Sequence, residues 1–370
     1  MDIVLETADA FFFDHVYAKL FPVPQAVTSL LQATEPSNEL LFSLSKNLSL
    51  PYIPSARYEY TFVSAPTAAY LSTIPRTDIV RQFISLFLIT WTFGLVIYFV
   101  FASLSYVLIY DKRNMDHPKF LKNQMRMEIH QALTSMPIMS LLTVPWFVAE
   151  IRGHSLLYWD VNDHGLAYLF LQFPLFVLFT DFSIYLIHRG LHHPILYKRL
   201  HKPHHKWIVP TPYASLAFHP IDGYLQSLPY HMFPFVFPLQ KISYLLLFVN
   251  INLWTILIHD GEYMTNNPLI NGAACHTLHH LYFNYNYGQF TTLWDRIGRS
   301  YRTPEKSLFD QKAKMSAATW KQQATEMEKI VKDVEQDDDR QYLNSGAAET
   351  EQDGDRQYLN SGATETKKDK

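Results

Sequence analysis

The amino-acid sequence predicts an all-α fold: a polytopic bundle of membrane-spanning helices carrying a histidine-rich cap on its cytosolic side. Three observations support this: apolar stretches of spanning length, an uneven distribution of Lys and Arg between the loops that join them, and three tight histidine clusters in basic loops.

The first stretch, residues 82–110, contains no charged side chain and is longer than the roughly 20 residues needed to cross a bilayer core. A second covers 132–149 with Pro137 and Pro145 inside it, which membrane helices tolerate better than soluble ones. A third covers 166–187 and is interrupted only by Asp181. The fourth block, 225–258, is broken by Pro229, Pro234, Pro238 and Lys241, and its length suits a helical hairpin or two kinked spans.

Short cytoplasmic loops collect Lys and Arg. Lys112, Arg113, Lys119, Lys122 and Arg126 lie between the first two stretches, only Arg152 between the second and third, and Arg189, Lys198, Arg199, Lys202 and Lys206 after the third. The first loop and the histidine region are therefore expected to be cytosolic, and the N-terminal segment lumenal. In that segment Asn47-Leu48-Ser49 is a glycosylation sequon, and the acidic start (Asp2, Glu6) is unlike a secretory leader, so an internal span is expected to act as signal anchor.

Composition narrows the chemistry. The 370-residue chain is 48% AVILMFWYC and 15% aromatic with a formal charge of −3, which excludes a basic nucleic-acid footprint. Its lone Cys275 excludes an internal disulfide or a thiolate metal cluster and leaves imidazole and carboxylate as metal ligands. Beyond Phe309 the chain is polar. Residues 314–335 read as an amphipathic helix with Met327, Ile330, Val331 and Val334 at helical spacing. A duplicated segment follows, QDDDRQYLNSGAAET at 336–350 and QDGDRQYLNSGATET at 352–366, too polar to build a core and expected to be disordered. Lys367 and Lys368 stand fourth and third from the end, a dilysine pattern resembling the retrieval signal of endoplasmic reticulum membrane proteins.

Of the 17 histidines, three clusters stand out: His188, His192 and His193; His201, His204 and His205; His276, His279 and His280. Residues three and four apart share a helix face, so each cluster converges two or three imidazoles. Leaving His193 aside, eight such residues exceed the needs of one four-coordinate ion and suit two. His219 and His259 add nitrogen donors. His15, His117, His130, His154, His164 and His231 stand alone and read as interfacial or hydrogen-bonded residues. Asp181, seven residues before His188 on the same face, is expected to orient an imidazole; Asp222 and Asp260 could act alike beside His219 and His259.

The runs HRGLHH, HKPHHK, AFHPIDGYLQSLPYH, WTILIHDGEY and NGAACHTLHHLYFNYNYGQFTTLWDRIG closely resemble the C-5 sterol desaturases of the fatty acid hydroxylase and sterol desaturase superfamily, over about 75–302. Members of the fungal ergosterol pathway are most similar. The resemblance implies a four-helix membrane core in the endoplasmic reticulum and a cytosolic di-iron site using O2, with electrons from NAD(P)H through cytochrome b5 and its reductase. It implies His188, His192, His201, His204, His205, His276, His279 and His280 as ligands, with His219 and His259 as additions. It also implies a delta-7 sterol such as episterol as substrate, taken from the surrounding membrane lipid, and a product with a C-5 to C-6 double bond. The expected organisation is a lumenal segment at 1–81, a transmembrane and di-iron domain at 82–302, a cytosolic helix at 303–335 and a disordered tail at 336–370. Two departures stand out: Leu216 replaces the histidine of an ASHAFHP pattern, and Arg299 replaces a glycine of DRIGGS. A C-4 methyl sterol oxidase, a lipid hydroxylase and a non-enzymatic metal-binding membrane protein are the alternatives. A zinc hydrolase is disfavoured by the lack of an HExxH motif.

Overall fold

The computed structural model describes residues 1–25, 29, 63 and 66–345, with side chains as far as Lys332. The sequon Asn47-Leu48-Ser49 and the tail from 346 onward, including the dilysine pair, lie outside the described residues. Among the described residues the helices of seven or more residues are α1 (Asp2–Ala8), α2 (Asp14–Leu20), α3 (Ile79–Leu108), α4 (Gln124–Ile151), α5 (Gly165–Leu191), α6 (Pro220–Val236), α7 (Lys241–Ile258), α8 (Ala273–Tyr282) and α9 (Ala317–Ser345). Four of them, α3, α4, α5 and α7, are long and apolar enough to cross a membrane.

Helix α3 begins three residues before the uncharged stretch because Asp78 caps it, accepting the Val80 and Arg81 N–H groups at 2.9 Å each. That start draws Arg81 into the helix. The guanidinium is 1% exposed and is neutralised by Asp9 at 3.0 Å and Asp14 at 2.5 Å, both from the N-terminal helical segment. The fourth apolar block resolves into two helices rather than one span. It breaks at Phe237 and Pro238, where Leu239–Gln240 pairs in parallel with Leu157–Tyr158, and Gln240 then caps α7 by accepting the Ser243 N–H at 2.8 Å.

Side chains from α3, α4, α5, α6 and α7 meet in one core, where Leu86, Phe147, Phe176, Ile184, Phe233 and Tyr244 are buried. Dispersion and burial of these rings hold the bundle together; the outward faces keep large apolar side chains exposed, among them Val96, Val100, Phe170, Leu178 and Leu246, as a lipid-facing surface requires. The helices alternate in direction. Their start and end points place His188, the residues after α5, the start of α6 and the end of α7 at one end of the bundle, opposite α1 and α2.

The chain divides into two units, Met1–Gln323 and Ala324–Lys370. The first contains every span and every histidine. Near its end Ser316 caps α9, its hydroxyl accepting the Thr319 N–H at 3.2 Å. Helix α9 starts later than expected, since Lys314 lies before it and donates to Gly261 O at 2.9 Å. It also runs on to Ser345, so the first residues of the duplicated segment, 336–345, are helical where composition predicts disorder. Gln336, Arg340, Gln341 and Leu343 are residue types with strong intrinsic helix preference, which favours continuation of the helix beyond Glu335.

Candidate metal centre

The histidines form two groups: His188, His192, His201, His205 and His279, and His204, His259, His276 and His280, with the ligand atoms of each group within 4.8 Å of one another. The second and third clusters in the sequence are each split between them, whereas His188 and His192 of the first stay together. A step of four residues rotates a helix by about 40° beyond a full turn, whereas a step of three falls about 60° short. The pairs His188/His192, His201/His205 and His276/His280 therefore stay together, while His204 and His279, offset by three, each join the other group. His259, the cap residue that follows α7, completes the smaller group.

Chain geometry sets this up locally. His188 occupies the last turn of α5, and His192 follows as its cap residue. A widened turn at Tyr197–His201 runs into Lys202–His205, and together they present His201, His204 and His205 within five residues. Gln131 of α4 ties this segment down by donating to Pro203 O at 3.3 Å and Ala217 O at 3.0 Å. Phe218 stacks on His204 at 4.1 Å between ring centroids and closes that side to water.

The hydrogen bonds fix which nitrogen faces inward. His188 Nδ1 donates to Tyr287 O at 3.0 Å and His201 Nδ1 to the Asp222 carboxylate at 2.8 Å. These acceptors have no proton to give, so the two Nε2 atoms, 3.0 Å apart, face each other with bare lone pairs. The smaller group repeats the pattern: His204 Nδ1 donates to Ala217 O at 3.3 Å, His259 Nδ1 to Thr255 O at 2.6 Å, and their Nε2 atoms stand 3.4 Å apart. His279 Nδ1 donates to Tyr285 O at 2.7 Å, and its buried Nε2 has no partner.

Facing lone pairs repel unless a cation lies between them. A shared proton is disfavoured, because burial holds His192, His204, His205, His276, His279 and His280 well below the ordinary imidazole range and His259 at about 4. Metal ions fit instead. Ligands on one ion with bonds of about 2.1 Å lie about 3.0 Å apart in an octahedron and about 3.4 Å apart in a tetrahedron. The facing Nε2 pairs span 3.0 to 3.4 Å.

Two expected site residues lie elsewhere. His219 joins neither group; it caps α6, its Nδ1 accepting the Ile221 N–H at 3.3 Å, because Pro220 starts the helix immediately after it. Asp181 does not touch an imidazole. Its carboxylate accepts the N–H groups of Gln289 (3.0 Å), Phe290 (2.8 Å) and Thr291 (3.2 Å) and the Thr291 hydroxyl (2.5 Å). The carboxylate that orients an imidazole directly is Asp222, on His201. Asp260 accepts the Glu262 N–H at 2.8 Å, and burial pushes it up to about 7. His193 and the isolated histidines belong to neither group.

Leu216 packs with Tyr98, Met136, Tyr213 and Ile256, so a leucine there removes no ligand from either group. Arg299 sits at φ 59°, the left-handed region that glycine enters without steric cost. Arg299→Gly is accordingly expected to stabilise the chain by about 1 kcal/mol, read as a raised midpoint of thermal unfolding in detergent. An unchanged or lowered midpoint would contradict that reading.

A family model described as fatty acid hydroxylase matches residues 173–300, which includes all nine grouped histidines. A Delta(7)-sterol 5(6)-desaturase of Aspergillus fumigatus is 57% identical over 94% of this chain and 99% of its own length. The chain belongs to the Delta(7)-sterol 5(6)-desaturase family. Members with that name from Leptosphaeria maculans and Saccharomyces cerevisiae are 53% and 50% identical, over 92% and 93% of this chain and 97% and 98% of their own lengths. Family membership makes the chain an oxidoreductase of sterol biosynthesis, and the four apolar helices make it a multi-pass membrane protein. No solved structure matches.

Proposed function

We propose that this desaturase introduces the C-5 to C-6 double bond into a delta-7 sterol resembling episterol, using O2 and two iron ions held by the nine grouped histidines. The observation that carries the reading is the pair of adjacent imidazole groups, each presenting bare lone pairs at one another inside the protein.

Converting a ring C–C single bond to an alkene removes two hydrogens. With O2 as oxidant, two electrons and two protons from a donor balance the reaction to two waters. Zinc has no redox chemistry to offer, whereas imidazole donors suit iron, and when bound the two ions would supply electron transfer to O2. His188, His192, His201, His205 and His279 would hold one ion, and His204, His259, His276 and His280 the other. Asp222, Tyr287 O, Ala217 O, Thr255 O and Tyr285 O fix the ring orientations, which raises ligand basicity and sets the inward nitrogens before substrate arrives. Burial around the groups excludes water from the oxidation, and removal of the second hydrogen in place of hydroxylation depends on how the sterol is held.

The sterol partitions into lipid, so entry is from the bilayer between spans. Positive-inside loop charges support a cytosolic cap in the endoplasmic reticulum membrane, with electrons arriving from NAD(P)H through cytochrome b5 and its reductase. Arg189, Lys198, Lys202, Lys206 and Arg296 supply the positive charge that would meet an acidic donor on this side of the protein. Several also bond within it: Arg189 bonds Tyr185 and Gly298 O, Lys206 covers the Trp207 ring, and Arg296 bonds Pro268 O and covers the Tyr301 ring.

Reconstitution with anaerobically loaded iron, cytochrome b5, its reductase and candidate sterols tests the assignment. Mass spectrometry is expected to show loss of two hydrogens at C-5 and C-6 of a delta-7 sterol. A hydroxylated lipid or an oxidised C-4 methyl as the sole product would replace it with another oxidation of the same superfamily.

A further inference from the structure

Residues 285–291 form a strap that touches the larger histidine group twice, through Tyr285 O on His279 and Tyr287 O on His188. Both contacts use backbone carbonyls, so the two imidazoles are aimed only as well as the strap itself is held. Two buried carboxylates hold it. Asp295, fully buried, accepts the Tyr287 N–H at 2.9 Å and the Ser300 hydroxyl at 2.8 Å on one oxygen, and the Gly288 N–H at 2.8 Å on the other. Asp181 takes the next three N–H groups, those of Gln289, Phe290 and Thr291. Five consecutive backbone donors, from Tyr287 to Thr291, thus end on two carboxylates. Asn271 donates to Gly288 O between them, and the turn is so tight that a Cβ on Gly288 would come 2.5 Å from Thr291 O.

We infer that Asp295, together with Asp181, is a positioning residue for the five-histidine group, acting through the strap and not by touching a ligand. The inference rests on the metal assignment proposed above. It is selective, because His204 and His259 of the smaller group are aimed by Ala217 O and Thr255 O, outside the strap. Ionised carboxylates make the stronger hydrogen bonds, and they accept at both oxygens, which an amide of the same shape cannot do. Asp295→Asn would set an NH2 group against a backbone N–H and release Tyr285 O and Tyr287 O from their present positions.

The test is iron content per chain after dialysis against graded chelator, for the full-length wild type, Asp295→Asn and Asp181→Asn, with gel filtration of each. Wild type reports the metal assignment: two ions sustain it and none removes it, independently of the variants. Both variants are expected to retain the second ion like wild type and to lose the other at 10- to 100-fold lower chelator strength, the range for removal of an outer hydrogen-bond partner of a ligand. Two ions held with wild-type strength by both variants would overturn the inference. So would joint loss of both ions, which would make these carboxylates supports of the whole fold.

Discussion

Replacing His204 by alanine is expected to lower sterol desaturation by about 100-fold or more, a loss at least as large as that from removing an outer partner of a ligand. The smaller group has four imidazoles, and His204 is the one that the helical offset carries across from its own sequence cluster. Its loss removes one of the two Nε2 atoms that His259 Nε2 faces, the one at 3.4 Å, and leaves that of His276 at 3.0 Å. Iron content should fall from about two to about one ion per chain while the protein elutes as wild type. His279→Ala is expected to do the same to the larger group. Normal turnover with normal iron in either variant would remove that residue from the site.

The largest effect on stability is expected at the opposite end of the bundle. Arg81 is buried between Asp9 and Asp14, and removing one member of a buried charge cluster leaves the rest uncompensated, at a cost of about 3–5 kcal/mol. Arg76 still reaches Asp14 at 2.5 Å, so the uncompensated charge falls mainly on Asp9. Arg81→Leu should therefore lower the midpoint of thermal unfolding in detergent by several degrees. Activity per folded molecule should be kept, since the histidine groups lie at the other end of the spans. An unchanged midpoint would mean that solvent or lipid headgroups already satisfy Asp9.

Much of this architecture could be read from residue order. Long apolar runs mark three spans because length and apolarity are the main requirements lipid imposes on a helix. Histidine spacing marked the ligands because positions four apart must share a face. The three-residue offset of His204 and His279 turns each away from its neighbours, but spacing could not show that each lands in the other group, since that depends on how Lys202–His205 and α8 pack against one another. Asp181 and His219 take partners outside the two groups for related reasons. A carboxylate two turns from a histidine on one helix suggests contact, but the strap at 285–291 offers Asp181 unpaired N–H groups, and backbone donors must be satisfied when buried. His219 precedes a proline that begins a helix, and capping takes its ring nitrogen. Asp295 gave no signal from spacing at all: its partners are backbone groups on a loop whose path only the tertiary structure defines. Arg299 was legible only as a departure from glycine, and its left-handed backbone supplies the reason.

The measurement that bears most directly on the central claim is iron analysis of purified, active protein combined with Mössbauer spectroscopy after 57Fe loading. About two iron ions per chain in nitrogen-rich environments, lost in parallel with desaturase activity on chelation, is the expected result. Full desaturase activity from protein without iron would contradict it.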